Sequence, residues 1–253
     1  MSDLDLMMSK YPSVVRDPTI RCGVCDPNSQ RDRLTTFRYD TALLLATLAA
    51  GPPGVMTFAA QTVDLFVTGK DEALGGLATA TKGLSLTNLG PSGAAPDSPC
   101  LYTAYGIMFE LGQISIYAAD GSQSNQPQFY YDQAYNNQVL TQLAKAAAWR
   151  IVEPNGCTDD GTPLDLAQSD GSARGVGDKD RSGMLGVMRG LRTAVCFPGE
   201  NARKPKISVT LDRALNVTEN GASPFLAFGV IPAGSVLAVP VRVTLEGSIE
   251  TPP

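Results

Sequence analysis

The chain contains no histidine. That absence excludes Ser-His-Asp and Cys-His nucleophilic mechanisms and every histidine-ligated metal site. It also removes the side chain best matched to proton transfer near neutral pH. Carboxylate-only or lysine-based catalysis stays open, but the balance shifts away from enzymes. Charge is scarce too: 18% of the 253 residues are charged, and the net charge is -5. A general nucleic-acid binder needs an excess of Lys and Arg to neutralise phosphates, so direct nucleic-acid binding is not expected. An unbroken membrane span is also missing. Thr41–Val63 is uncharged and long enough to cross a bilayer, but Gly51-Pro52-Pro53-Gly54 interrupts it. The opening MSDLDLMMSK is acidic and lacks an apolar core, so no signal peptide is expected.

Cysteine is sparse and odd in number: Cys22, Cys25, Cys100, Cys157 and Cys196. Such a set does not read as a disulfide framework. Cys22 and Cys25 form a single CxxC. With no second pair, a structural zinc would have to recruit two of the three scattered cysteines. The surrounding RCGVCDPNSQRDR is a polar loop and not a redox βαβ context. The expectation is reduced thiols, with no metal and no cofactor.

What is present is apolar content and turn formers. Hydrophobic residues make up 43% of the chain, enough for a real core, and 25 glycines and 18 prolines suit many short strands joined by turns. Residues 1–40 read as an extended arm. Lys10, Arg16, Arg21, Arg31, Arg33 and Arg38 balance Asp3, Asp5, Asp17, Asp26, Asp32 and Asp40, so this is not a basic genome-binding tail. Tyr39 to Ala50 reads as a short buried helix. Val55 onward turns to strand, with Thr62–Thr68, a turn at Gly69-Lys70-Asp71, and a short alternating run Leu84–Thr87.

A Gly/Pro/Ser-rich arm, Asn88–Pro99, runs into Leu101–Leu111, expected to be a long buried strand. Ile107, Phe109, Leu111 and Tyr105 alternate with Gly106, Met108 and Glu110, so one set should face the core. Gly112 marks a bulge or bend before Ile114–Tyr117. Val139–Val152 is the best helix candidate, ended by Glu153-Pro154-Asn155-Gly156. An Asp/Gly-rich connection fills residues 154–183. The last seventy or so residues carry short strands at Gly190–Phe197, Ile207–Leu211, Ala214–Val217, Phe225–Val230, Ser235–Val239 and Val241–Leu245. Pro240 must sit at an edge or bulge, because it cannot donate to a ladder.

Chemical motifs are thin. Asp178, Asp180 and Ser182 resemble the first half of a calcium loop, but Arg189 stands where an EF-hand needs its bidentate acid. Phe129, Tyr130, Tyr131 and Tyr135 could stack on bases, yet no basic residue accompanies them between Ala118 and Ala144. Asn216-Val217-Thr218 is a sequon that matters only in a secreted chain. No residue is assigned a catalytic role.

Thr87-Asn88-Leu89, then Gly93, Pro96 and Pro99, then Tyr105-Gly106-Ile107 resemble the first barrel of major capsid proteins of tailless icosahedral bacterial viruses. Val241–Gly247 looks like the closing strand of the same proteins. The resemblance implies a mainly β double jelly roll with one or two short helices. The first barrel would span 41–153, with a helix near 139–152. The Asp/Gly-rich connection and second barrel would span 154–253. A single jelly roll is the alternative. The resemblance further implies homotrimers forming pseudo-hexagonal capsomers of a virion shell, made in the host cytoplasm. Partners would be neighbouring capsomers, minor capsid or vertex proteins, and a membrane or second protein beneath the shell. Two other readings compete. One is a carbohydrate- or receptor-binding β-sandwich, such as a viral spike. The other is a jelly-roll hydrolase using paired carboxylates, for which Glu110 is the acid whose setting stands out.

Overall fold

A computed structural model of the chain describes residues 33–49, 55–75, 77, 80–90, 93, 101–112, 114–118, 122–124, 133–152, 162–164, 189–198, 205–218 and 236–250. Among them the strands are β1 (Arg33–Ala49), β2 (Val55–Phe58), β3 (Gln61–Leu65), β4 (Leu101–Leu111), β5 (Ser115–Tyr117), β6 (Gln123–Ser124), β7 (Ala147–Val152), β8 (Thr162–Pro163), β9 (Arg189–Pro198), β10 (Lys206–Leu211), β11 (Leu215–Thr218) and β12 (Val236–Glu250). The helix α1 covers Gln133–Ala146. The protein is therefore mainly β, as expected. Two antiparallel sheets form. One runs β11-β2-β1-β12-β4-β9, with β5 beside β12 and β6 beside β5; the other runs β3-β10-β7-β8. Each sheet takes strands from both sides of the expected 153/154 boundary.

The core lies between the sheets. Leu44, Phe109, Val241, Val243 and Leu245 from the first sheet join Leu65, Ile151, Val209 and Leu211 from the second, and Leu140 and Leu143 of α1 complete the cluster. Phe109 packs on Trp149 across the gap, with ring centroids 5.0 Å apart. The second sheet shows plain alternation. Ile207, Val209 and Leu211 point inward, while Thr62 and Thr210 hydrogen-bond to each other and Asp64 receives Lys206 and Ser208 on the other face.

The expected helix over Tyr39–Ala50 is not formed; Tyr39 to Ala49 belong to β1, which β12 pairs from Arg33 to Ala46. The reason is burial on both faces. Ala42, Leu44 and Ala46 enter the main core, while Leu43 and Leu45 enter a second cluster with Leu74, Leu77, Ala80, Leu86, Tyr117 and Ala238. A strand covered on both sides loses its period of two and reads as a continuous apolar run. The cover is the segment after β3, which folds back over the outer face of β1, β12 and β5. Within it, Leu84–Leu86 is a turn closed by Leu86 N–H and Thr87 N–H donating to the Gly83 carbonyl, and not the expected strand.

The helix near 139–152 is corrected in extent. It starts earlier, and Ala147–Val152 continues as β7, because Trp149, Ile151 and Val152 pair with β10. The long strand Leu101–Leu111 is observed, and Phe109 is buried. Its alternation shifts at a bulge. Tyr105 and Gly106 together oppose Glu246, so Tyr102 and Ala104 face the same core as Ile107, Phe109 and Leu111. Tyr105 is buried but outside that core cluster.

Ser235–Val239 and Val241–Leu245 merge into one strand, β12. Pro240 sits where the neighbour of β12 changes from β4 to β5, and its carbonyl accepts from Gly112 N–H at 2.8 Å. A strand residue points its N–H and C=O to the same side, so the missing donor faces this break and costs no ladder bond to β1. Phe225–Val230 lies outside the described residues.

Candidate interaction surface

The segment after β3 is fastened to β1 by polar contacts on its inner side. Asp40 projects from β1 toward the core and is fully buried. Lys82 donates to Asp40 Oδ1 at 2.7 Å and Oδ2 at 3.0 Å, and Phe66 N–H donates to Oδ2 at 2.8 Å. Phe66 holds a left-handed φ of 64° where the chain leaves β3. An aromatic residue adopts that conformation only when its surroundings enforce it. Here its ring is buried against Phe197 and its amide is held by Asp40. Burial pushes the Asp40 pKa above the ordinary carboxylate range, against the pull of Lys82, the Phe66 amide and the Thr87 hydroxyl. Saturated and sealed from solvent, this carboxyl group fastens the fold and cannot reach a substrate.

Thr87-Asn88-Leu89, three residues of the sequence motif, act on the same strand. Asn88 Oδ1 accepts from Tyr39 N–H at 2.8 Å, Asn88 N–H donates to the Tyr39 carbonyl, and Asn88 Nδ2 donates to the Phe37 carbonyl. Thr87 Oγ1 also donates to the Tyr39 carbonyl, and Leu89 is buried in the main core. The start of the Gly/Pro/Ser-rich arm is thus bonded within its own chain. Gly93 has a φ of 67°, and a Cβ there would run into the Val67 carbonyl, which accounts for glycine at that motif position. Pro96 and Pro99 lie outside the described residues.

On the outer side these contacts leave an exposed strip. Phe37, two residues before Tyr39 on β1, is 51% exposed, and Leu84, whose carbonyl accepts from the Tyr39 hydroxyl, is 63% exposed. Arg242 covers the Tyr39 ring at 5.5 Å, donates to the Ser85 carbonyl at 2.7 Å, and lies 4.0 Å from Glu110. Exposed Phe37 and an aromatic ring covered by arginine are residue types enriched at protein contact surfaces.

Glu110 is half-buried on β4, opposite Arg242 on β12. No second acid joins it in a described interaction, so the paired-carboxylate arrangement is not assembled there. Asp178, Asp180, Ser182, Cys22 and Cys25 lie outside the described residues, and Arg189 opens β9. Among the described residues no group of three His, Cys, Asp or Glu side chains could hold a metal ion, and no helix is long and apolar enough to cross a membrane. Asn216 of the sequon accepts from Thr57 Oγ1 at 2.9 Å.

The expectation of reduced thiols is corrected at one position: Cys196 is disulfide-bonded. Disulfide pairing depends on how closely the fold brings two Cα atoms, which sequence spacing does not report. The Asp40–Lys82 pair was also invisible in the sequence. Its one signal was a lone acid ahead of an uncharged apolar run. No family model matches the chain, and comparison with curated proteins and with solved structures finds no match.

Proposed function

We propose that the chain is the shell-forming subunit of an icosahedral virus, built as one jelly roll. The observation that carries the reading is strand order. If β1, β3, β4, β7, β8, β9, β10 and β12 are counted one to eight, the sheets run 1-8-3-6 and 2-7-4-5. That is the order of an eight-stranded jelly roll with two Greek keys. The roll uses the chain from Arg33 to Glu250, so it favours the single-roll alternative over two barrels. β2 and β11 extend the first sheet beyond β1, and β5 and β6 are additions beside β12.

Jelly rolls serve as viral shells, lectins and cupins. The absence of histidine argues against the metal chemistry of cupins. The motif resemblance and the exposed Phe37–Leu84 strip favour the shell over the lectin. With one roll per chain, a hexagonal capsomer takes six copies rather than three. The balanced charge of residues 1–40 leaves genome contact to another component. Native mass spectrometry and electron microscopy of the purified protein test the proposal. Six-copy oligomers that build closed or sheet-like particles support it, whereas a stable monomer at high concentration overturns it.

A further inference from the structure

We propose that Asn88 and Gln61 are strand surrogates that close the free edge of β1 against pairing with another chain. β12 occupies one side of β1 from Arg33 to Ala46, whereas β2 covers the other side only at Thr47–Ala49. Among the described residues no strand pairs with the remaining length of this edge, and open edges template association. Two side-chain amides occupy it. Gln61 Oε1 accepts from Leu45 N–H at 2.9 Å, and Gln61 Nε2 donates to the Leu45 carbonyl at 2.9 Å. At Tyr39 the exchange is split within Asn88: its side-chain Oδ1 accepts from the Tyr39 N–H at 2.8 Å, and its backbone N–H donates to the Tyr39 carbonyl at 3.2 Å.

A carboxamide carries the same donor and acceptor pair as a peptide unit, so Gln61 reproduces the two-bond exchange of a neighbouring strand with its side chain alone, and Asn88 does so with its side-chain oxygen and its own backbone N–H. Tyr39 and Leu45 are both odd-numbered, so their backbone groups point away from β12 to the same edge. Gln61 opens β3, which pairs with β10 and not with β1, and each amide is anchored elsewhere: Gln61 Nε2 also donates to the Ala59 carbonyl, and Asn88 Nδ2 to the Phe37 carbonyl. Association of copies is thereby directed away from this edge and toward side-chain surfaces. The inference does not depend on the shell reading.

The test is the double variant Asn88→Ala with Gln61→Ala, compared with wild type by hydrogen exchange and by mass in solution. Exchange at the Tyr39 and Leu45 amides should rise about fivefold to tenfold, the effect of one lost net hydrogen bond. Amides of β10 should keep their protection, and the variant should form species heavier than whatever wild type forms, with added intermolecular β signal in the infrared. If the double variant fails to fold, each single variant carries the same readout at its own amide. Gln61→Glu keeps the size and the acceptor for the Leu45 N–H but loses the donor to the Leu45 carbonyl, so it should retain more Leu45 amide protection than Gln61→Ala. Unchanged exchange at both amides, or a folded variant at the wild-type mass, overturns the proposal. Because wild type is the reference, a monomeric wild type sinks the shell reading alone.

Discussion

The Lys82 ammonium lies 2.7 Å from Asp40 Oδ1, with Asp40 0% and Lys82 2% exposed. Two charges so placed are costly to desolvate, and breaking the pair costs more than replacing it. Lys82→Met should destabilise the protein by about 3–5 kcal/mol, because it leaves a carboxylate buried and unpaired. Asp40→Asn added to Lys82→Met should recover a large part, since Asn still accepts from Phe66 N–H. Denaturant titration measures both. Equal losses in the single and double variants would show that the charge pairing is not what matters.

The same pair sets a pH dependence. Burial raises the Asp40 pKa, so the folded chain holds this proton more tightly than the unfolded chain. The associated stability is full below the unfolded-state pKa and is lost as pH rises through the folded-state value. Lys82→Met removes the opposing positive charge and raises the folded-state value further. The deficit of that variant should therefore be smallest in acid and should grow as pH rises. A deficit independent of pH would mean that Lys82 acts by packing alone.

Phe109 is 3% exposed and bridges the two sheets through Trp149. Phe109→Ala should cost about 3–5 kcal/mol, from lost transfer energy plus the cavity left between sheets. A loss near that of a surface substitution would contradict the packing across the gap.

Gly247 lies beside the β4 bulge, and a Cβ there would meet the Thr103 carbonyl and the Tyr102 ring. Gly247→Ala should cost about 1–3 kcal/mol or more, because the backbone carbonyl cannot move aside as a side chain can. Gly75→Ala is the control: nothing lies within 4 Å of its would-be Cβ, and its effect should stay within about 0.5 kcal/mol. Thermal or denaturant unfolding of the two variants side by side separates them.

Thiol titration of the denatured, unreduced protein should find at most three free thiols, five cysteines less the two of the Cys196 disulfide. Cys196→Ser should lower stability by about 2–4 kcal/mol. Five free thiols would remove the disulfide.

The sequence by itself determined that this is a mainly β chain without histidine chemistry. Local signals carry that much. β3, β9, β10 and β11 were readable because they are short and bounded by turn residues, and in β3 and β10 one face is polar, so Thr62, Asp64, Ser208 and Thr210 keep the period of two visible. β4 was readable from its length and apolar content, although the bulge at Tyr105 hid which residues share a face. Only tertiary structure decided β1. Leu43 and Leu44 look alike in sequence, but one serves a cluster formed by the segment after β3 and the other the core between the sheets. Asp40 was likewise ambiguous, because its partner Lys82 is 42 residues away and meets it only after that segment folds back. The strand order is the largest feature that local signals omit. Which strand lies beside which depends on contacts such as Tyr39 with Thr244, more than 200 residues apart in the chain, and hydrophobic periodicity reports the face a residue presents but not the neighbour it finds.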